Sequence, residues 1–181
     1  MKVTETKLQG CFRIDPIVYV DDRGHFFESF NQQTFLEKTG INIHFVQDNQ
    51  SISQRGVVRG LHFQKGAYAQ AKLLSVLKGS VLDVVVDLRK NSSTFGQHFS
   101  CILSEESNTQ LFVPRGFAHG FSVLENDTIF SYKCDNYYNV ASESGIIYND
   151  PQLNIDWRLS ENEMVVSEKD LKLHLFEDLI C

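Results

Sequence analysis

Val58-Arg59-Gly60-Leu61-His62-Phe63-Gln64 is the stretch on which the reading of this chain turns. It has the pattern of a strand, and it carries His62 beside a fixed cation, Arg59, with Lys72 following in a second apolar strand pattern. Histidine is the usual side chain for moving protons near neutral pH. Held on a strand rather than a loop, it is rigid enough to be aimed at one substrate atom. Phe112-Val113-Pro114-Arg115-Gly116-Phe117-Ala118-His119-Gly120-Phe121 supplies a second half of the same layout. Together the two segments indicate a small β-barrel whose mouth does chemistry.

The rest of the chain has the same rhythm. Turn signals recur at Asp22-Arg23-Gly24, Gln54-Arg55-Gly56, Lys78-Gly79-Ser80, Asn91-Ser92-Ser93, Glu105-Glu106-Ser107-Asn108 and Glu125-Asn126-Asp127, with short runs rich in Val, Ile, Leu and Phe between them. That spacing marks an all-β sandwich or barrel rather than βαβ units. Nothing reads as a linker or repeat, so one domain over residues 1–181 is expected. Helices are few. Asn31 can cap one over residues 32–39, with Phe35 and Leu36 inward and Gly40 ending it. Ser160-x-x-Glu163 and Ser167-x-x-Asp170 match capping boxes.

Strand alternation predicts where side chains point. Lys72, Leu74 and Val76 share one face; Val81, Asp83, Val85 and Asp87 share another; Phe130, Tyr132 and Cys134 share a third. Lys72, Asp83 and Tyr132 thus interrupt largely apolar faces, where a polar group is either a satisfied structural residue or part of a site. Strict alternation puts Arg59 opposite His62, unless Gly60 marks a bulge that re-aims it.

Composition bounds the function. At 181 residues the chain can bury a substantial core. Seventeen basic and 23 acidic residues leave a net charge of −6, which argues against non-specific nucleic-acid binding, so an anionic ligand must be met by a local cluster of Arg and Lys. Fourteen Phe and six Tyr against two Met suit aromatic cross-strand packing. Cys11, Cys101, Cys134 and Cys181 are scattered, give no zinc spacing and read as free thiols. Ile17-Val18-Tyr19-Val20 is far too short for a secretion signal or a membrane span, so a cytoplasmic location is expected.

Five motifs occur in order: Asp22-Arg23-Gly24-x-Phe26-x-Glu28, Gln47-Asp48-Asn49, the Val58–Gln64 stretch, Pro114-Arg115-Gly116-Phe117-Ala118-His119-Gly120-Phe121, and Ser167-Glu168-Lys169-Asp170. As an ordered set, running from about residue 5 to residue 175, they closely resemble the dTDP-4-dehydrorhamnose 3,5-epimerase family of the cupin superfamily. The resemblance implies an all-β cupin jelly roll (double-stranded β-helix) with a few short peripheral helices. It also implies an isomerase that needs neither metal nor redox cofactor. In that family's substrate a C4 keto group acidifies the protons on C3 and C5. Each is removed from one face and replaced from the other through an enolate, which demands a base, an acid across the ring and a donor or cation at the enolate oxygen.

Carried over residue by residue, the resemblance makes His62 the base, Asp170 the carboxylate that orients it, Tyr132 the acid on the opposite face and Lys72 the oxyanion stabiliser. Arg59 and Arg23 would bind the nucleotide diphosphate. Phe26, Glu28, Gln47, Asn49, His119, Tyr138, Glu143 and Lys169 match positions that contact the dTDP-sugar. In the family Arg23 and its neighbours reach into a partner subunit's pocket, which implies a homodimer.

Plainer readings stand beside these. Asp170 could serve only the Ser167 capping box, Tyr132 could be a core aromatic, and Asp83 could be a structural partner for a nearby His or Lys. Arg115, His25, His44, His98 and His174 read as surface or structural residues. A metal cupin is disfavoured, because the first motif offers His62-Phe63-Gln64 rather than His-x-His, and Lys72 stands where a ligand carboxylate would follow. A non-catalytic sugar-nucleotide module would not need His62, Tyr132, Lys72 and Asp170 together. Relatives that epimerise only C3 or only C5 share these motifs.

Overall fold

The computed structural model describes residues 1–179; Cys181 lies outside them. Two antiparallel sheets face one another, as in a cupin jelly roll. The first holds β1 (Lys2–Glu5), β2 (Phe12–Asp15), β10 (Gln110–Val113), β7 (Lys72–Lys78), β12 (Thr128–Cys134) and β5 (Gln47–Ser53), in that spatial order. The second holds β13 (Glu143–Gly145), β6 (Val57–Gln64), β11 (Phe117–Val123), β8 (Ser80–Asp87) and β9 (His98–Ser104). The short strand β14 (Val165–Val166) adds to β6 in parallel, and β3 (Tyr19–Asp21) and β4 (Gly24–Phe26) form a separate hairpin.

The inner core lies between the sheets. Leu74, Val76 and Phe130 from the first meet Val81, Val85 and Phe121 from the second. Alternation along β8 then sends Leu82, Val84 and Val86 to the outer face, where Leu153, Trp157 and Phe176 of the C-terminal segment cover them. Every residue of β8 is buried for that reason, and both of its faces are largely apolar, Asp83 and Asp87 being the exceptions on the inner one. The C-terminal segment is pinned through Asp150, whose carboxylate accepts from Leu153 N at 2.9 Å and Phe176 N at 2.7 Å. That path carries residues 165–170 back alongside β6.

The helix α1 (Gln32–Thr39) covers the outside of the first sheet. Asn31 Oδ1 accepts from Thr34 N at 3.1 Å, and Gly40 ends the helix at φ 73°, a left-handed conformation that costs glycine little. Phe35 is fully buried against Phe112. Leu36 is not inward as the sequence suggested but 40% exposed. One residue along a helix is a turn of about 100°, enough to swing Leu36 off the face that Phe35 occupies. The Ser160 box forms, with Glu163 Oε2 accepting from Ser160 N at 3.0 Å. Cys11, Cys101 and Cys134 are free thiols.

Candidate active site

A cavity of about 640 Å³ opens between the sheets. His62 and Arg59 enter it from β6, Lys72 from β7, His119 from β11 and Tyr132 from β12. His62 therefore belongs to one sheet, and Lys72 and Tyr132 to the other. Asp170 closes the wall behind His62.

Arg59 reaches this cavity because β6 is irregular. His62 pairs with His119 and Arg59 with Phe121, so three steps along β6 match two along β11. The extra residue is the bulge foreshadowed by Gly60, and it turns Arg59 onto the side of His62. Glycine is required there: Gly60 has φ 107°, and a Cβ on it would lie 2.7 Å from Gly120 Cα.

His62 Nε2 lies 2.8 Å from Asp170 Oδ1. The other carboxylate oxygen accepts from Gly60 N at 3.0 Å. Burial would raise the Asp170 carboxyl, but hydrogen bonds from His62 and the Gly60 N–H outweigh it and hold it below the usual carboxylate range. Ser167 Oγ accepts from Asp170 N at 3.1 Å, so the cap exists on its serine side. Both carboxylate oxygens, however, are turned to β6. Asp170 is thus a capped residue whose acid is spent on His62, and the two sequence readings coexist.

On the facing wall, Lys72 Nζ stands 5.7 Å from the centre of the Tyr132 ring. Burial draws the Lys72 ammonium down, and it makes no ion pair among the described residues. Burial pushes the Tyr132 hydroxyl up to about 12, so the phenol holds its proton at neutral pH. A protonated phenol and a cation thus share the wall across from the histidine. His119 is buried, with Nε2 lying 2.8 Å from Asp83 Oδ2.

The mouth is polar. Glu143 Oε2 accepts from Tyr138 Oη at 2.8 Å and from Lys169 Nζ at 2.6 Å. Gln47 does not line the cavity but bonds residues that do: its Nε2 donates to Asn49 Oδ1 at 3.1 Å and its Oε1 accepts from Tyr138 N at 2.9 Å. Arg59 donates to Ser53 Oγ at 3.3 Å.

Arg23, Phe26 and Glu28 are not brought to this cavity within one chain. They lie on or after the β3–β4 hairpin, where Arg23 pairs with Asp21, Phe26 is 70% exposed and Glu28 accepts from Asn31 at 3.0 Å. Several lining residues were not singled out from the sequence, the polar Ser51 and Gln70 among them. Ser51 was within reach, since alternation along β5 puts it on the face of Asn49; Gln70 lies outside any strand and gave no signal. No cluster of three or more His, Cys, Asp or Glu able to hold a metal occurs among the described residues.

Comparison with known proteins covers nearly the whole chain. Residues 5–178 match the family model described as dTDP-4-dehydrorhamnose 3,5-epimerase. The crystal structure of the Elizabethkingia anophelis dTDP-4-dehydrorhamnose 3,5-epimerase is 54% identical with a TM-score of 0.95, covering 98% of this chain and 97% of that one. The Legionella pneumophila dTDP-6-deoxy-D-glucose-3,5-epimerase, solved in complex with dTDP-4-keto-L-rhamnose, is 48% identical with a TM-score of 0.93 over 97% of this chain and 93% of its own. The Escherichia coli dTDP-4-dehydrorhamnose 3,5-epimerase is 45% identical over 180 residues, 99% of this chain and 97% of the relative.

Proposed function

This chain belongs to the dTDP-4-dehydrorhamnose 3,5-epimerase family, and on that premise we propose that it inverts C3 and C5 of dTDP-4-dehydro-6-deoxy-D-glucose to give dTDP-4-dehydro-L-rhamnose. The observation that carries the reading is the placement of His62, backed by Asp170, on one sheet and of Tyr132 with Lys72 on the other, around one cavity.

His62 takes the proton from the carbon beside the C4 ketone, and the Asp170 carboxylate stabilises the imidazolium that forms. The electron pair moves to the C4 oxygen, where Lys72 supplies positive charge in a water-poor setting. Tyr132 delivers its proton to the opposite face of the same carbon, which inverts it. Exchange with solvent returns a proton to the phenolate and removes one from the imidazolium before the second carbon reacts. The residues of this chain account for the reaction without metal or redox cofactor.

Arg59 and Lys169 meet the diphosphate at the mouth, and Tyr138, Asn49, Gln47 and Glu143 surround the nucleoside end, with His119 against the sugar. The hairpin carrying Arg23, Phe26 and Glu28 serves the pocket of a second copy, so the working form is a homodimer. Its exposed Tyr19, Val20 and Phe26 are an apolar surface that such a partner would cover. Among the described residues no helix is long and apolar enough to cross a membrane. The chain is taken to act as one domain in the cytoplasm.

The test is incubation with dTDP-4-keto-6-deoxy-D-glucose in heavy water, with the product resolved by NMR. Deuterium at both C3 and C5 of an inverted sugar is expected. Label at one carbon alone would make this a single-position epimerase, and an unlabelled, unchanged sugar would end the reading.

A further inference from the structure

Asp83 stands midway along β8 with no exposed side-chain surface, between the apolar Val81 and Val85 that point the same way. Its Oδ2 lies 2.8 Å from His119 Nε2. Its Oδ1 is equally buried and meets no hydrogen-bond donor among the described residues. A carboxylate half-satisfied in an apolar barrel opposes folding, and an apolar pair in place of both Asp83 and His119 would pack there at lower cost. The packing of β8 by itself therefore gives no reason for an acid at this position.

His119 supplies one. Its ring lies nearly parallel to two aromatic neighbours that stack on each other, 5.9 Å from Phe130 at 16° and 6.2 Å from Phe121 at 29°. Stacking fixes the plane of an imidazole but not which edge points which way, since a half-turn about Cβ–Cγ leaves the plane unchanged. Nor does it say which nitrogen carries the proton. A carboxylate answers both questions at once, because it accepts and cannot donate.

Resting on the epimerase reading above, we propose that Asp83 is a positioning residue for the reaction: it holds His119 in one ring orientation and one tautomer, proton on Nε2, so that the cavity-lining histidine meets the sugar in the same state at every turnover. Nδ1 is then left as an acceptor. Burial also draws the neighbouring Lys72 ammonium down, and the negative charge of Asp83 is among the groups that oppose this.

The test pairs Asp83→Asn with Asp83→Leu. Asparagine keeps the shape but can donate as well as accept, so it no longer selects a tautomer; leucine removes the partner altogether. Both should lower kcat about 10–100-fold while KM and dTDP affinity stay within about twofold. Asp83→Asn should melt within a few degrees of the wild type, whereas Asp83→Leu, which leaves the buried His119 N–H without an acceptor, should melt lower. In the His119→Ala background, Asp83→Asn should add nothing further. Nitrogen-15 NMR of histidine-labelled protein should show His119 with its proton on Nε2 in the wild type and a mixture in Asp83→Asn. The proposal is overturned if kcat stays within about threefold of wild type in both variants. It is equally overturned if melting temperature, dTDP binding and kcat fall together in Asp83→Asn, or if wild-type His119 carries its proton on Nδ1. A wild type that leaves the sugar unchanged would sink the epimerase reading, while the NMR tautomer would still report on the Asp83 contact.

Discussion

Two histidine–carboxylate pairs stand in the same barrel, His62–Asp170 and His119–Asp83, each with a nitrogen–oxygen distance of 2.8 Å. Their surroundings differ. The His62 side chain is 31% exposed to the cavity, against 6% for His119. Asp170 spends its second oxygen on the Gly60 N–H, whereas the second oxygen of Asp83 has no donor among the described residues. Burial outweighs the attraction of Asp83 and holds His119 below its ordinary pKa, so it is neutral at working pH. A histidine that must accept and release protons needs a solvent-reachable edge and a fully satisfied carboxylate behind it. One that must only stand still can be sealed in. On the proposed mechanism the same pair of side chains serves proton transfer in one place and positioning in the other.

The sharpest way to break this contrast is to remove the cavity-facing histidine. His62→Ala should cut kcat by about 10²–10⁴-fold or more while dTDP still binds, as titration calorimetry would show. Affinity lost in proportion to rate would make His62 a contact residue instead. Next in size is the group across the ring. Tyr132→Phe should form about 10²-fold less inverted sugar, yet deuterium should still enter from heavy water, because His62 can return a proton to the face it came from. Inversion at the wild-type rate would transfer the acid's role to a bound water.

A smaller effect is expected from Asp170→Asn, about 10–100-fold in kcat, with little change in melting temperature. The Asn can still receive the Gly60 N–H but no longer stabilises an imidazolium. A large melting shift with unchanged turnover would restore Asp170 to a purely capping role.

The smallest catalytic effect is expected at a third buried carboxylate, which makes it a control. Asp87 accepts from Arg89, Ser92 and Thr94, contacts that outweigh its burial and hold its pKa at about 2. Because the folded value lies below the unfolded one of 3.8, its stabilisation is present above pH 3.8 and is lost as pH falls toward about 2. Asp87→Asn should leave kcat unchanged at neutral pH, cost about 2 kcal/mol of stability there and flatten that acid limb in pH-dependent melting. A loss of turnover without a loss of stability would show that the adjoining loop it ties, residues 89–94, reaches the site.

Much of the site is legible in the order of the residues. Period-two alternation puts Lys72 with Leu74 and Val76, and Tyr132 with Phe130, and the inner core contains those partners. The Asn31 cap and the Gly40 stop of α1 are equally local, and both form. Such readings succeed because they depend on one strand or one helix turn, whose geometry the backbone fixes by itself. Leu36 fails for a related reason: an eight-residue helix has one narrow buried face, and which of two adjacent apolar residues takes it depends on the sheet beneath.

What the residues alone determined, then, is the all-β pattern, the motif order and the apolar faces that Lys72, Asp83 and Tyr132 interrupt. Only the tertiary structure decided who meets whom. Asp170 reaches His62 across 108 residues because the C-terminal segment lies back over β6, a path fixed by Trp157, Phe176 and Asp150 far from the site. Arg59 turns inward only because β6 carries one residue more than β11 between their shared pairs. Asp83 finds His119 rather than Lys72 as its hydrogen-bond partner through the register of β8 on β11. Alternation is a property of a single strand, whereas register and chain path are set by packing between segments distant in sequence, and no local pattern contains that information.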